Sequence, residues 1–164
     1  MSTLIQLRVN GLPVDWECEP QEFLVEALRR NGLIGTKRGC ETGECGACSV
    51  LLDGEEAPAC LVLAAQAGGH EVTTIEGLGD FTRPHPIQES FVDGTAVQCG
   101  FCTPGMAIAA KALLDRAPSP TEQEVREVLA GHPCRCTGYV KPIAAVLAAA
   151  ALQKPRTDNG EDAR

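Results

Sequence analysis

Eight of the nine cysteines in this 164-residue chain fall into two groups whose spacing could do chemistry. Cys40, Cys45 and Cys48 lie in "GCETGECGAC" and are followed by Cys60 in "PAC". Cys99 and Cys102 lie in "QCGFC", Cys134 and Cys136 in "PCRC". Gathered thiolates bind soft metals, whereas thiols in an oxidising compartment pair as disulfides. The N-terminus "MSTLIQLRVNGLP" has no basic start with an apolar run behind it and no twin-arginine pattern. No stretch approaches the roughly eighteen apolar residues of a membrane span. The expected location is the cytoplasm, where thiols stay reduced, so the cysteines read as metal ligands.

The first group has the spacing C-x4-C-x2-C with a fourth cysteine after an interval of eleven residues. That is the plant-type [2Fe–2S] spacing with a shorter final interval. Gly39, Gly43 and Gly46 let the backbone wrap closely and aim N–H groups at sulfur. Zinc prefers two short knuckles far apart, whereas three ligands here crowd one loop. The second group, C-x2-C plus C-x-C, suits zinc or iron–sulfur by spacing alone. A second cluster would make a relay with the first, and both pairs run into predicted helix N-termini, which favour an anionic centre. A Rieske centre would need two His ligands, so His132 reads as a loop or cap residue. Cys18 falls on the apolar face of a predicted strand and reads as a small buried hydrophobe. Lys37 and Arg38 read as a solvated turn.

These ligands need a scaffold, and the chain supplies two, divided near residues 77–84. Ile5, Leu7 and Val9 share a face, Asn10-Gly11 is a hairpin turn, and Val14, Trp16 and Cys18 alternate with acidic residues. A helix is expected over "QEFLVEALRRNG", with Phe23, Leu24, Ala27 and Leu28 inward and Gly32 as its stop. A hairpin around Asp53-Gly54 and a final strand over "EVTTIEGL" complete a small α+β unit over 1–77. Four helices are expected over 85–153: "HPIQESFVDG", "PGMAIAAKALLDRA", "TEQEVREVLAG" with a Thr121/Glu124 capping box, and "KPIAAVLAAAALQ". Residues 154–164 form a polar tail expected to be disordered. The segments after "CGFC" and "PCRC" echo each other, as a bundle that brings the two pairs together would require. A net charge of −8 argues against a nucleic-acid partner.

"GTKRGCETGECGACSVLLDG", "QCGFCTPGM" and "LAGHPCRCTGYVKPI" resemble the small iron–sulfur subunit of the xanthine oxidase family of molybdenum hydroxylases, over roughly residues 3–152. The resemblance implies a β-grasp [2Fe–2S] ferredoxin domain held by Cys40, Cys45, Cys48 and Cys60. It further implies an all-α four-helix bundle whose Cys99, Cys102, Cys134 and Cys136 hold a second [2Fe–2S] cluster. Gln98 matches the glutamine that hydrogen-bonds the pterin in such proteins, and Cys136 matches a cysteine whose neighbourhood also touches it. Molybdopterin, as its cytosine dinucleotide, and FAD would belong to separate large and medium partner subunits, in a dimer of heterotrimers. The implied electron path runs from molybdenum to the bundle cluster, then the ferredoxin cluster, then FAD and a final acceptor.

Nothing in the chain supports substrate chemistry of its own. It has no G-x-G-x-x-G fingerprint, no Walker loop and no nucleophile with a paired base. The reading is an electron-transfer subunit of a larger oxidoreductase, leaning to a purine or N-heterocycle hydroxylase of xanthine dehydrogenase type. The same subunit role in an aldehyde oxidoreductase, a 4-hydroxybenzoyl-CoA reductase or a carbon monoxide dehydrogenase is the alternative within the family. Outside it, a free two-cluster ferredoxin or a zinc-stabilised interaction module would use the same cysteines. Anaerobically isolated protein is expected to contain about four irons per chain and to give two distinct paramagnetic signals when fully reduced. A colourless protein with bound zinc would refute this.

Overall fold

Alternating burial on the first strand sets the architecture. In the computed structural model, which describes residues 2–153, β1 (Thr3–Val9) buries Ile5, Leu7 and Val9 and exposes the residues between them. Asn10 and Gly11 follow with φ of 53° and 79°, the left-handed pair of a type I′ turn. The chain returns as β2 (Leu12–Cys18), antiparallel to β1 from Val9↔Leu12 to Thr3↔Cys18. Asp53 and Gly54 repeat the device, with φ of 51° and 87°, between β3 (Ser49–Leu52) and β4 (Glu55–Pro58). With β5 (Glu71–Thr73) the sheet order is β2-β1-β5-β3-β4; only the β1–β5 pairing is parallel. Helix α1 (Leu24–Arg30) lays Leu24, Val25, Ala27 and Leu28 into a core with Trp16, Val50 and Val72. This is the expected β-grasp arrangement.

Two local expectations are corrected. Phe23 is not on the inner stripe of α1: it is the N-cap residue, still extended, bridged to Leu63 and 39% exposed. Its direction is set by that bridge rather than by the helical period, and Val25 takes the inner position. Nor does "EVTTIEGL" run on as a strand. Asn10 clamps Thr74, its Oδ1 accepting from Thr74 N–H at 2.8 Å and its Nδ2 donating to Thr74 Oγ1 at 3.0 Å. The strand stops there, and a single helical turn α2 (Ile75–Leu78) carries Ile75 to the edge of the next core.

The second half is the expected bundle: α3 (Pro86–Asp93), α4 (Thr103–Arg116), α5 (Glu122–Ala130) and α6 (Val140–Gln153). Its core is Ile87, Phe91, Met106, Leu113, Leu114, Val125, Leu129, Ile143 and Val146, filled in with alanines that let the helices approach closely. Thr121 caps α5, its hydroxyl accepting from Glu124 N–H at 3.3 Å while Glu124 Oε2 accepts from Thr121 N–H at 2.7 Å. The polar tail expected over 154–164 lies outside the described residues. Among those described, no helix is long and apolar enough to cross a membrane.

The two halves are joined through β3. Its alternation sends Val50 into the sheet core and Leu51 to the other face, where Leu51 packs on Ile108 and Ala112 of α4. Burying side chains of this kind contributes about 1.5–3 kcal/mol each. Ser49 shares Leu51's face, and its hydroxyl donates to Glu56 Oε1 at 2.7 Å. Both meet His132, which follows α5 and is 3% exposed. Its Nε2 stands 3.2 Å from Ser49 Oγ and 3.1 Å from Glu56 Oε1.

Burial raises the pKa of Glu56, but hydrogen bonds with His132 and Ser49 outweigh it and hold the carboxyl below its ordinary value. The folded state therefore takes up the proton less readily than the unfolded chain. The resulting stability is present above the ordinary carboxylate pKa of about 4.3 and is lost as pH falls through the lower folded value. Glu56→Gln is expected to lower stability at pH 7 by about 1–2 kcal/mol. In denaturant titrations, the gap between the two proteins should close as pH is taken below 4.

Candidate iron–sulfur centres

The first cysteine loop is shaped by backbone that most residues avoid. Glu41, Gly43 and Gly46 have φ of 59°, 81° and 63°, which turns the chain repeatedly between Cys40 and Cys48. A Cβ on Gly39 would lie 2.8 Å from Cys45 Sγ, so that position is closed to larger residues. The turning backbone directs N–H groups at sulfur. Thr42 and Glu44 donate to Cys40 Sγ at 3.4 and 3.3 Å, and Cys40 donates to Cys45 Sγ at 3.4 Å. Cys48 and Cys60 are buried at the open end of the β3–β4 hairpin, where Ala59 N–H donates to the Cys48 carbonyl at 3.3 Å.

Environment separates these thiols. Hydrogen bonds from Thr42, with help from Cys45 and the Glu44 N–H, pull Cys40 down to about 6. Burial pushes Cys48 up to about 12, reinforced by the neighbouring Cys60 and Cys45 sulfurs. Donors thus favour the charged sulfur at the rim of the loop, while desolvation opposes it at the sheet.

The second group straddles two helix starts. Cys102 is the N-cap residue of α4, with Cys99 one tight turn earlier across Gly100 at φ 81°. Cys134 and Cys136 occupy the turn between α5 and α6. Tyr139, at φ 69°, braces that turn: its hydroxyl oxygen accepts from Cys134 N–H at 2.8 Å and donates to the His132 carbonyl at 3.3 Å. Thr137 Oγ1 lies 3.1 Å from Cys134 Sγ. Burial works against the Cys134 thiolate, but the Thr137 hydroxyl and nearby N–H groups bring it down to about 7. Burial, with the Cys134 and Cys99 sulfurs, pushes Cys102 up to about 12. Cys99 and Cys136 are exposed, and Gln98 Nε2 donates to the Cys136 carbonyl at 3.1 Å.

Within each group that the spacing suggests, the fold brings the cysteines together in pairs. All nine are free thiols. Sulfur meets sulfur in pairs: Cys40 with Cys45, Cys48 with Cys60, Cys102 with Cys134, and Cys99 with Cys136. Among the described residues no three Cys, His, Asp or Glu side chains gather closely enough for one metal ion. Two thiol pairs per group, with N–H and hydroxyl donors turned on the sulfurs, fit the four-cysteine donor set of a diiron cluster.

Other residues resolve as follows. Cys18 is buried at 1% exposure, and burial raises its pKa, as befits an inert packing residue. Arg38 is exposed and ion-paired with Glu41 and Glu26, while Lys37 donates to the Ile34 carbonyl at 3.0 Å. His132 is not among the sulfurs; it lies at the junction of the halves. Sequence reasoning missed the supporting roles of Thr137 and Tyr139. The signal available was the short polar run "CTGY" leading into a helix.

Comparison with known proteins agrees with this geometry. A sequence model of the 2Fe-2S iron-sulfur cluster binding domain matches residues 7–71, and one of the [2Fe-2S] binding domain matches 74–147. The nicotinate dehydrogenase small FeS subunit of Eubacterium barkeri is 45% identical over 143 residues, 87% of this chain and 91% of that protein. The chain belongs to the small iron–sulfur subunits of the xanthine oxidase family. It is a non-catalytic electron-transfer subunit of an oxidoreductase, built from two [2Fe–2S]-binding domains. A chain of quinoline 2-oxidoreductase from Pseudomonas putida 86 superposes with a TM-score of 0.88 at 44% identity, covering 92% of this chain and 94% of that one. Aldehyde oxidoreductase from Desulfovibrio desulfuricans also superposes at 0.88, with 41% identity over 91% of this chain but only 17% of its own.

Removing the donor at Cys134 tests the role of the bracing turn. Thr137→Val is expected to leave iron content unchanged and to shift the midpoint potential of only one reduced-state signal to lower values, since the hydroxyl stabilises added negative charge on sulfur. Redox titration followed by EPR measures it.

Proposed function

We propose that Cys40, Cys45, Cys48 and Cys60 hold one [2Fe–2S] cluster, that Cys99, Cys102, Cys134 and Cys136 hold the other, and that residues 1–77 and 85–153 are the two domains carrying them. When bound, such clusters supply one-electron transfer between two-electron centres, here a molybdopterin site and FAD on partner subunits. The chain's own work is placement and tuning. The Thr42 and Glu44 N–H groups and the Thr137 hydroxyl bear on sulfur charge, the sheet core keeps water from Cys48 and Cys60, and the bundle core partly shields Cys102.

The observation that carries the reading is the asymmetry of the second group. Cys99 and Cys136 stand at an open rim with Gln98, Val97 and Phe101, the last 47% exposed. A rim with sulfur and apolar side chains at the surface is suited to a covering partner. Gln98 and Cys136, already joined by a hydrogen bond, supply amide and carbonyl groups at this rim for a pterin held by a large molybdenum subunit. The share of aldehyde oxidoreductase that this unit occupies supports a role as one part of a larger enzyme. The dehydrogenase and oxidoreductase named for nicotinate and quinoline favour an N-heterocycle hydroxylase, with a medium FAD subunit and a dimer of heterotrimers as the assembly. A cytoplasmic setting would keep the eight thiols reduced for loading.

Native purification is the test. The chain is expected to co-elute with molybdenum and flavin in stoichiometric amounts. Elution alone near its own 17.3 kDa mass, with both clusters intact, would instead identify a free carrier.

A further inference from the structure

Between the two sulfur groups lies a contact made by three residues, each close in sequence to a cysteine. Gly46 lies between Cys45 and Cys48, Gly105 three residues after Cys102, and His132 two before Cys134. A Cβ on Gly46 would stand 2.6 Å from His132 Nε2 and 2.8 Å from the Gly131 carbonyl oxygen. A Cβ on Gly105 would overlap the Gly46 carbonyl oxygen and reach within 3.3 Å of the His132 ring. Only glycine at both positions allows the loops to approach this far.

The ring of His132 is fixed from several sides. Ser49, the residue after Cys48, gives its hydroxyl hydrogen to Glu56 at 2.7 Å. His132 Nε2 is therefore the donor toward Ser49 Oγ at 3.2 Å and Glu56 Oε1 at 3.1 Å. Nδ1 faces the Val128 carbonyl at 3.3 Å, at the end of α5.

We propose that His132 is a positioning residue that sets the separation of the two sulfur groups and thereby the electronic coupling between the one-electron centres they hold. This rests on the two-cluster reading above. From Cys134 the path runs through Pro133 to His132, across the Nε2···Oγ hydrogen bond to Ser49, and on to Cys48. Every link except that hydrogen bond is covalent, so the bond decides how well the route conducts and how far the loops can part. A histidine that served only to fill space would be replaceable by any side chain of similar bulk.

The full chain carrying four irons, with both centres reduced, is measured by low-temperature EPR for mutual splitting of the two signals. His132→Leu keeps much of the bulk and removes the donor; it is expected to abolish the splitting at unchanged iron content. His132→Gln, which places an amide N–H near the position of Nε2, is expected to retain it. Native splitting in the Leu variant overturns the proposal, as does loss of splitting in both variants alike. Should the Leu variant load fewer than four irons, Ser49→Ala decides: it removes the same hydrogen bond without adding an atom. Splitting reduced at least twofold in Ser49→Ala supports the proposal, and unchanged splitting overturns it. Failure of the two-cluster reading itself shows earlier and separately, as native protein with other than four irons or with one signal.

Discussion

Sulfur ligands that carry negative charge repel one another and resist burial, so a protein that gathers four of them must surround them with donors. This requirement shapes both halves. In the first, backbone bent into left-handed conformations at Glu41, Gly43 and Gly46 frees N–H groups that a strand or helix would have used. In the second, the same need is met differently: a helix start at Cys102 and the Thr137 hydroxyl beside Cys134. The rest of the fold supports these two solutions. The sheet anchors Cys48 and Cys60 at a hairpin end, and the bundle anchors Cys102 at the start of α4.

The same requirement explains why the halves meet where they do. Donor-rich loops are irregular and contribute little packing of their own, so they need a firm surface behind them. Leu51 on Ile108 and Ala112 provides it from the sheet side. The Ser49, Glu56 and His132 cluster provides the polar counterpart. The half-buried Glu56 carboxylate keeps its charge there because both neighbours donate to it, the condition under which charge persists away from water.

Much of this was legible in the sequence because the informative signals are local. Alternation in β1 and β2, the Asn10-Gly11 and Asp53-Gly54 turns and the Thr121/Glu124 cap each act within a few residues, and each appears where its pattern placed it. The two [2Fe–2S]-binding domains were legible because the cysteine spacing within each is local. What escaped depends on contacts distant in sequence. Phe23 turns outward because Leu63 pairs with it, and the last strand ends at Thr73 because Asn10 holds Thr74. His132 reads as a loop residue until β3 is laid beside α5. Its partners Ser49 and Glu56 lie about eighty residues away, 83 in the case of Ser49, and no local pattern announces them.

The Asn10–Thr74 clamp spans 64 residues and accompanies the parallel pairing of β1 with β5. During synthesis, therefore, the N-terminal sheet cannot close until its last strand has cleared the ribosome, whereas the loop bearing Cys40, Cys45 and Cys48 emerges well before. For that interval thiols are presented on an unfinished scaffold, and late closure of this kind is the slow step of folds built on distant strand pairing. Cys60 emerges within that interval and the clamp only at its end, so the nascent chain exposes all four thiols of this group before the closed sheet can shelter them.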